Sequence, residues 1–237
     1  MRKLLVFLVI LVVIVVGLDF AGRAVAESKT GEALAKQGHI SPAPDVDIHG
    51  LSFLWQAIDG NYSHVTLTAT DLSAGKLTGI GAVVDLYDVA LPLSDALSGN
   101  VDKLTAGHSN IRASIPPAAL STVLGQQNLT VAAGSNGALR LGTTIAAAGQ
   151  SFSVQVDVKP SVSKGVLHLS GGKVVNAPAA LPAALATNLV KGLSIDLPLI
   201  GLPFPIESAT ATVEGGSLIV TAQTGAVKIG ELIKAAG

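Results

Sequence analysis

The chain has no cysteine, which excludes disulfides and thiolate metal sites. Aromatic residues make up only 3% of its 237 residues, and charged residues only 13%. Outside Arg2 and Lys3 there is no basic run, and the net charge is -1, so nucleic acid is not expected as a partner. Hydrophobic residues reach 49% and the mean hydropathy is +0.58, so the core must be aliphatic. Contact with lipid and a compositional bias toward Ala and Gly both explain this excess.

The N-terminus reads as an export segment. Arg2 and Lys3 precede an unbroken apolar run that is shorter than the roughly 20 residues of a membrane span. Two readings stay open: a signal cleaved at the small-residue site before Glu27, and an uncleaved transmembrane anchor. Both place the rest of the chain at the outer face of the cytoplasmic membrane, anchored or secreted, because the basic end stays inside. The candidate membrane-contacting residues are Leu4, Phe7, Leu11, Ile14 and Leu18.

Three segments are predicted from composition. Residues 1–26 form the signal peptide or anchor, residues 27–44 a stalk helix and linker, and residues 45–237 a single β-rich domain. The linker is marked by Pro42 and Pro44.

The stretch 45–72 predicts a strand, a short helix and a second strand. Val46 and Ile48 alternate with aspartates, which is the period of a half-buried strand. Apolar residues then recur at helical spacing from 53 to 58, and Gly60 stands where a helix commonly ends. From His64 the period returns to two.

The remaining segments predict more strands than helices. Long strands are expected over 77–91, 104–115 and 151–160, and a hairpin turn at 134–137. In the last of these strands Phe152, Val154, Val156 and Val158 alternate with polar residues and are expected to face inward. Short helices are expected after Pro116 and over 178–191, and a connection without secondary structure over 92–100. Because strands mostly follow strands, we predict an α+β domain with an antiparallel sheet, preceded by a hydrophobic helix.

Catalytic motifs are scarce. The five histidines show no metal-ligand spacing, no G-x-S-x-G elbow occurs, and no nucleotide-binding loop is complete. We therefore expect no metal, no cofactor and no enzymatic activity. The aliphatic strands suit an acyl-chain groove, but they suit an ordinary core equally well.

Two motifs resemble the LmeA-like phospholipid-binding family of actinobacterial cell-envelope proteins. The first is V-D-I-H-G-L-S-F-L-W-Q from Val46, followed by G-N-Y-S-H-V from Gly60; the second runs from Leu197 to Ala211. The chain departs from the family pattern at Leu51, Ser52 and Trp55. The resemblance implies a tubular lipid-binding fold, in which a curved antiparallel sheet surrounds a helix and an apolar groove. It also implies non-enzymatic phospholipid binding that supports lipoglycan assembly or envelope lipid homeostasis.

On this basis phospholipid and the membrane are the expected partners. The alternative is a membrane-anchored scaffold that engages an envelope protein and holds no lipid. The residues expected to line the lipid groove are Leu51, Phe53, Leu54, Trp55, Ile58, Leu202 and Phe204.

Overall fold

The computed structural model describes residues 2–38, 40–74, 76–98, 100, 102–147, 149–163, 166–179, 181–198 and 208–229. Within them the helices are α1 (Arg2–Gly38), α2 (Phe53–Asp59), α3 (Leu93–Ser98), α4 (Pro117–Leu124) and α5 (Ala183–Gly192), with a 3-10 turn at Ser135–Gly137. The strands are β1 (Asp45–His49), β2 (Asn61–Ala74), β3 (Leu77–Ala90), β4 (Thr105–Ala106), β5 (His108–Ile115), β6 (Thr130–Ala133), β7 (Leu139–Ala147), β8 (Gln150–Ser163), β9 (Val166–Asn176), β10 (Ile195–Pro198), β11 (Ser208–Glu214), β12 (Ser217–Thr224) and β13 (Val227–Lys228). The predicted α+β class, the antiparallel pairing and the N-terminal helix are confirmed.

The chain divides into two compact units. The first comprises Met1–Ala69, Val84–Ser109 and Gly225–Gly237, and the second comprises Thr70–Val83 and Asn110–Thr224. The predicted boundary at residue 26 falls inside α1, which continues without a break to residue 38.

In the first unit a small antiparallel sheet carries α1 on its apolar face. β1 pairs with β2 from Asp45 opposite Thr68 to His49 opposite His64. β2 neighbours β3, and β4 pairs with both β3 and β13. The predicted alternation in β1 is confirmed, because Val46 and Ile48 are buried and the aspartates between them are exposed.

The contact between α1 and the chain entering β1 requires a glycine. A Cβ atom at Gly31 would lie only 2.6 Å from the carbonyl oxygen of Pro44. Any larger residue there would push α1 off the chain. At the end of α2, Gly60 has φ 72° and its N–H caps the helix, as predicted.

The second unit contains two groups of strands around one aliphatic core. In one group the order is β3-β5-β12-β11, and in the other it is β10-β9-β8-β7-β6. The core joins both groups with α4 and α5. Its completely buried members include Leu120, Leu141, Val156, Leu167 and Leu193. The predicted inward face of β8, at Phe152, Val154, Val156 and Val158, is confirmed.

Two sequence predictions need correction. The last helix begins at Ala183, not at 178, because Pro182 is its extended N-cap residue and a proline inside the helix would break it. The segment after Pro92 was expected to be a plain connection, but it contains α3.

Candidate functional site

The turn before α2 is held by a carboxylate on α1. Asp19 accepts hydrogen bonds from the backbone N–H of Leu54 at 2.7 Å and of Phe53 at 3.0 Å, and from the Ser52 hydroxyl at 2.9 Å. Ser52 is itself the N-cap of α2 and accepts from the N–H of Trp55. Asp19 therefore satisfies N–H groups that a helix start leaves without intrahelical partners.

These hydrogen bonds change the acidity of Asp19. The backbone N–H of Leu54 contributes most to holding the pKa of this carboxyl below its usual value, and burial opposes it. The N–H of Phe53, the Ser52 hydroxyl and the nearby Arg23 guanidinium add to the lowering. Asp19 is thus a stabilised anion at neutral pH.

Two further residues on the same face of α1 as Asp19 also bind the turn before α2 and the end of β1. With Asp19 they form the α1 stripe. The Arg23 guanidinium donates to the carbonyl oxygen of Gly50 at 2.8 Å, and the Glu27 carboxylate accepts from the N–H of Ile48 at 2.8 Å. Asp19, Arg23 and Glu27 are four residues apart and share one helix face. Together they fasten α1 to the backbone of residues 48–54 through side-chain hydrogen bonds.

The short helix α2 presents apolar side chains to solvent. Leu51 is fully exposed, Trp55 is 75% exposed and Ile58 is 73% exposed, whereas Leu54 is half-buried. Phe53 is buried and points the other way, since a Cβ at Gly22 would lie 3.2 Å from its ring. Five of the seven predicted groove residues therefore lie on one turn and helix. Leu202 and Phe204 are outside the described residues.

An apolar cavity lies beneath α1 in the first unit. Its volume is about 40 Å³. Side chains from α1, β1, β2, β3, α3 and the chain before β4 line it: Ala26, Thr30, Leu34, Val46, Ile48, Tyr62, Val65, Leu67, Leu86, Val89, Leu91, Ala96 and Leu104. Sequence periodicity predicted the buried strand positions but gave no sign that α1 covers them.

Tyr62 links the cavity to α2. Its ring centroid lies 6.3 Å from that of Phe53, which is within the range of aromatic pairs. Burial raises the pKa of the Tyr62 phenol, so it stays neutral and protonated. Among the predicted groove residues that the structure describes, Phe53 is therefore the one that forms an aromatic pair with a cavity-lining side chain.

A roomier cleft lies in the second unit. Its volume is about 310 Å³, and it is bounded mainly by small or rigid residues near the β6–β7 turn and along β11. The lining consists of Ala133, Gly134, Gly137, Ala138, Leu139, Pro160, Ala211, Thr212, Val213 and Leu218. Asp157 contacts this turn through the backbone N–H of Ser135. Its carboxyl pKa is lowered, mainly by the hydrogen bonds from Arg140 at 2.7 and 2.9 Å.

The polar face of the first unit carries a stack of four rings. His49, His64, Tyr87 and His108 follow one another with centroid separations of 4.3, 4.6 and 4.6 Å. Asp85 lies beside the stack. Burial raises the pKa of its carboxyl, but hydrogen bonds from Thr66 at 2.7 Å and His64 at 3.0 Å outweigh burial and leave that pKa lowered. The stack could not be predicted from the sequence, because these residues are far apart in the chain and only strand register brings them together.

Two features are absent from the described residues. Among them, no three His, Cys, Asp or Glu side chains gather in a way that could hold a metal ion. No helix, within the part of the chain that the structure describes, is both long and apolar enough to cross a membrane. Leu11, Ile14 and Leu18 lie on α1, and the side chains of Leu4 and Phe7 are outside the described set.

Comparison with known proteins gives one match. No curated protein and no solved structure matches significantly. The family model described as LmeA-like phospholipid-binding matches residues 17–223. The matched range includes the α1 stripe, the four stacked rings, the cavity beneath α1 and the cleft of the second unit. This chain therefore belongs to the LmeA-like phospholipid-binding family.

Proposed function

We propose that this protein binds phospholipid and holds an acyl chain beneath α1 in the first unit. The observation that carries the proposal is an apolar cavity under a helix, in a chain that belongs to a phospholipid-binding family. Acyl chains need an aliphatic lining, and the cavity has one on every contributing element. This arrangement is our candidate for the apolar groove of a tubular lipid-binding fold.

The cavity must enlarge before it can hold a lipid tail. Its volume of about 40 Å³ is far below the roughly 300–1,000 Å³ of typical ligand sites. α1 is the element best suited to move, because Asp19, Arg23 and Glu27 attach it by side-chain bonds and no strand ladder must break. Displacing α1 exposes Val46, Ile48 and their neighbours, and a lipid tail would cover them again.

The exposed face of α2 is the proposed point of entry. Leu51, Trp55 and Ile58 present apolar surface to solvent, and Trp is favoured where an apolar phase meets water. Behind them the buried Phe53 contacts Tyr62 at the cavity. A tail that enters beside α2 would reach the cavity by displacing the Phe53 ring.

We further propose that the part of α1 that ends at Leu18 rests in a lipid bilayer. The large apolar residues between Leu11 and Leu18 are all 45–64% exposed, so no face of this part of the helix is covered by protein. A helix that is apolar all round needs an apolar surrounding. The basic Arg2 and Lys3 favour an orientation with the sheet on the outer side of the cytoplasmic membrane.

The hydrogen bonds made by Asp19 and Arg23 on α1 support retention of the N-terminal segment. Cleavage before Glu27 would remove Asp19 and Arg23, and with them the bonds that fasten α2. The family match also begins upstream of that position, at residue 17. We therefore favour the anchor over the cleaved signal. The intact mass of membrane-extracted protein tests this: a chain that starts at Glu27 would contradict it.

At the level of the cell, the family resemblance leads us to propose an envelope role in lipoglycan assembly or lipid homeostasis. The molecular proposal is tested first. The full chain, purified in non-ionic detergent, is incubated with vesicles of phosphatidylglycerol and phosphatidylethanolamine and examined by native mass spectrometry. We expect adducts of one phospholipid mass. A folded protein that takes up neither lipid would overturn the proposal and favour the scaffold alternative.

A further inference from the structure

Three polar side chains on the second unit form a hydrogen-bonded relay that the lipid proposal does not use. The Ser163 hydroxyl lies 3.0 Å from Nε2 of His168, and Nδ1 of the same ring lies 2.7 Å from the Asp196 carboxylate. The two ring nitrogens thus contact two different groups in series. This is the arrangement of a serine nucleophile, its general base and an orienting acid.

Strand pairing fixes these residues. They lie on three consecutive neighbours, β8, β9 and β10, and Asp196 is directly opposite His168 in the ladder. The flanking Leu167 and Leu169 are almost completely buried. Because side chains alternate along a strand, His168 points away from that core. Its side chain is 31% exposed and Ser163 is exposed, so a substrate can reach the hydroxyl.

The hydrogen bonds define the tautomer of the ring. An ionised carboxylate can only accept, so the proton of neutral His168 lies on Nδ1 and is donated to Asp196. Nε2 then has a free lone pair and accepts from the Ser163 hydroxyl. The His64–Asp85 pair on β2 and β3 differs, since Nε2 of His64 contacts both Asp85 and Thr66. Among the histidines that the structure describes, only His168 directs this lone pair at a serine.

We propose that Ser163 is a nucleophile for acyl transfer from carboxylic esters. Its oxygen attacks the ester carbonyl carbon while its proton passes to Nε2 of His168. The tetrahedral adduct expels the alcohol, which takes that proton, and leaves an acyl group on Ser163. Water then attacks the acyl group by the same proton transfers and releases the carboxylic acid. Asp196 is a positioning residue that stabilises the charged imidazolium.

A fluorophosphonate probe and p-nitrophenyl acetate test the proposal on the full chain. We expect one probe adduct on Ser163, found by intact mass and peptide mapping. Activation by a positioned general base is worth about 10²–10⁴-fold, so Ser163→Ala should lower ester hydrolysis at least about 100-fold. Ser161→Ala is the matched control, because Ser161 lies opposite His168 in the ladder and is outside the relay.

The role of Asp196 has its own readout. Asp196→Ala should slow probe labelling, and Asp196→Glu should restore part of the rate. If Asp196 were needed only for folding, the two variants would be labelled at the same rate whenever their melting temperatures were equal. Labelling that persists in Ser163→Ala, or that does not exceed that of heat-denatured protein, would overturn the proposal. Phospholipid uptake by native mass spectrometry should be the same in Ser163→Ala and the wild type, so failure here leaves the lipid proposal standing.

Discussion

The cavity beneath α1 and the cleft of the second unit differ in volume and in the element that covers them. The cleft of the second unit, about 310 Å³, already reaches the lower limit of ligand-site volumes, whereas the cavity of the first unit, about 40 Å³, does not. The small one, however, has α1 as its cover, fastened by Asp19, Arg23 and Glu27. The large one is bounded by paired strands and a tight turn. In choosing the proposed lipid site we therefore give more weight to whether the covering element can move than to the cavity volume in one conformation.

The largest expected effect is a difference in phospholipid uptake between variants that fill the first cavity and variants that fill the second. Ala26 and Ala138 are half-buried alanines that line the first and the second cavity, respectively. Ala26→Trp should lower phospholipid uptake at least about tenfold, which corresponds to about 1.4 kcal/mol, because the ring occupies the space meant for the tail. Ala138→Trp should leave uptake unchanged. Native mass spectrometry with phosphatidylglycerol measures both.

Overpacking costs about 1–3 kcal/mol, so both variants need a thermal melt beside the binding measurement. The comparison holds only between variants that melt cooperatively. If Ala138→Trp loses uptake and Ala26→Trp keeps it, the lipid lies in the second unit and the choice of cavity is wrong.

Removal of the Asp19 carboxylate should loosen the cover of the first cavity. Asp19→Ala deletes three hydrogen bonds to a charged acceptor and should lower the free energy of unfolding by about 2 kcal/mol at pH 7. Glu32→Ala is the control on the same helix, since Glu32 makes only an exposed ion pair with Lys29 and should change little. Urea unfolding of the full chain in detergent measures both. Equal stability of the two variants would show that Asp19 does not fasten α2.

The same carboxylate predicts a pH dependence. The pKa of Asp19 is lowered in the folded protein, so its contribution is fully present above the unfolded pKa of about 3.9. That contribution is lost as the pH falls through the folded pKa. The stability difference between wild type and Asp19→Ala should therefore shrink as the pH drops below about 4. A difference that stays constant to pH 2 would mean that packing, not charge, is lost in the variant.

The exposed face of α2 should contribute a smaller effect. Trp55→Asp should weaken binding to phosphatidylglycerol vesicles about fivefold, because partial burial of a large apolar side chain is worth about 1 kcal/mol. Leu97→Asp removes an equally exposed apolar side chain from α3 and serves as the control. Vesicle flotation measures the two affinities. An equal loss in both variants would remove any special role from α2.

The ring stack should matter least for the lipid. Tyr87→Leu interrupts the contacts with His64 and His108 and should lower the free energy of unfolding by about 0.5–1 kcal/mol, the usual worth of ring pairs. Phospholipid uptake should not change, since the stack lies on the polar face of the sheet. A loss of uptake without a loss of stability would move the headgroup site to these rings.

Local features of the fold could be predicted from the sequence. The alternation in β1 and β8 and the glycine that ends α2 each follow from residues a few positions apart. Pro178 and Pro182 together misled the prediction of α5, because only the second is the N-cap. Local pattern also placed Phe53, Leu54, Trp55 and Ile58 on one short helix, although it did not show that Phe53 faces α1.

Features that depend on distant pairing could not be predicted. Asp19 interrupts an apolar run in the sequence, and its partners lie more than 30 residues away, so nothing local revealed its role. Ser163, His168 and Asp196 match no sequence motif, because strand register alone decides which side chains meet. The cover of the first cavity is equally a product of the tertiary fold.

The most direct measurement is photo-crosslinking with a phosphatidylglycerol that carries a diazirine in its acyl chain. The full chain is irradiated in vesicles, and the modified residues are mapped by peptide mass spectrometry. We expect modification on α1 between residues 26 and 34 and on the facing parts of β1, β2 and β3, reduced by unlabelled lipid. Modification confined to residues 133–139 and 211–218, or modification that unlabelled lipid does not reduce, would contradict a lipid site beneath α1.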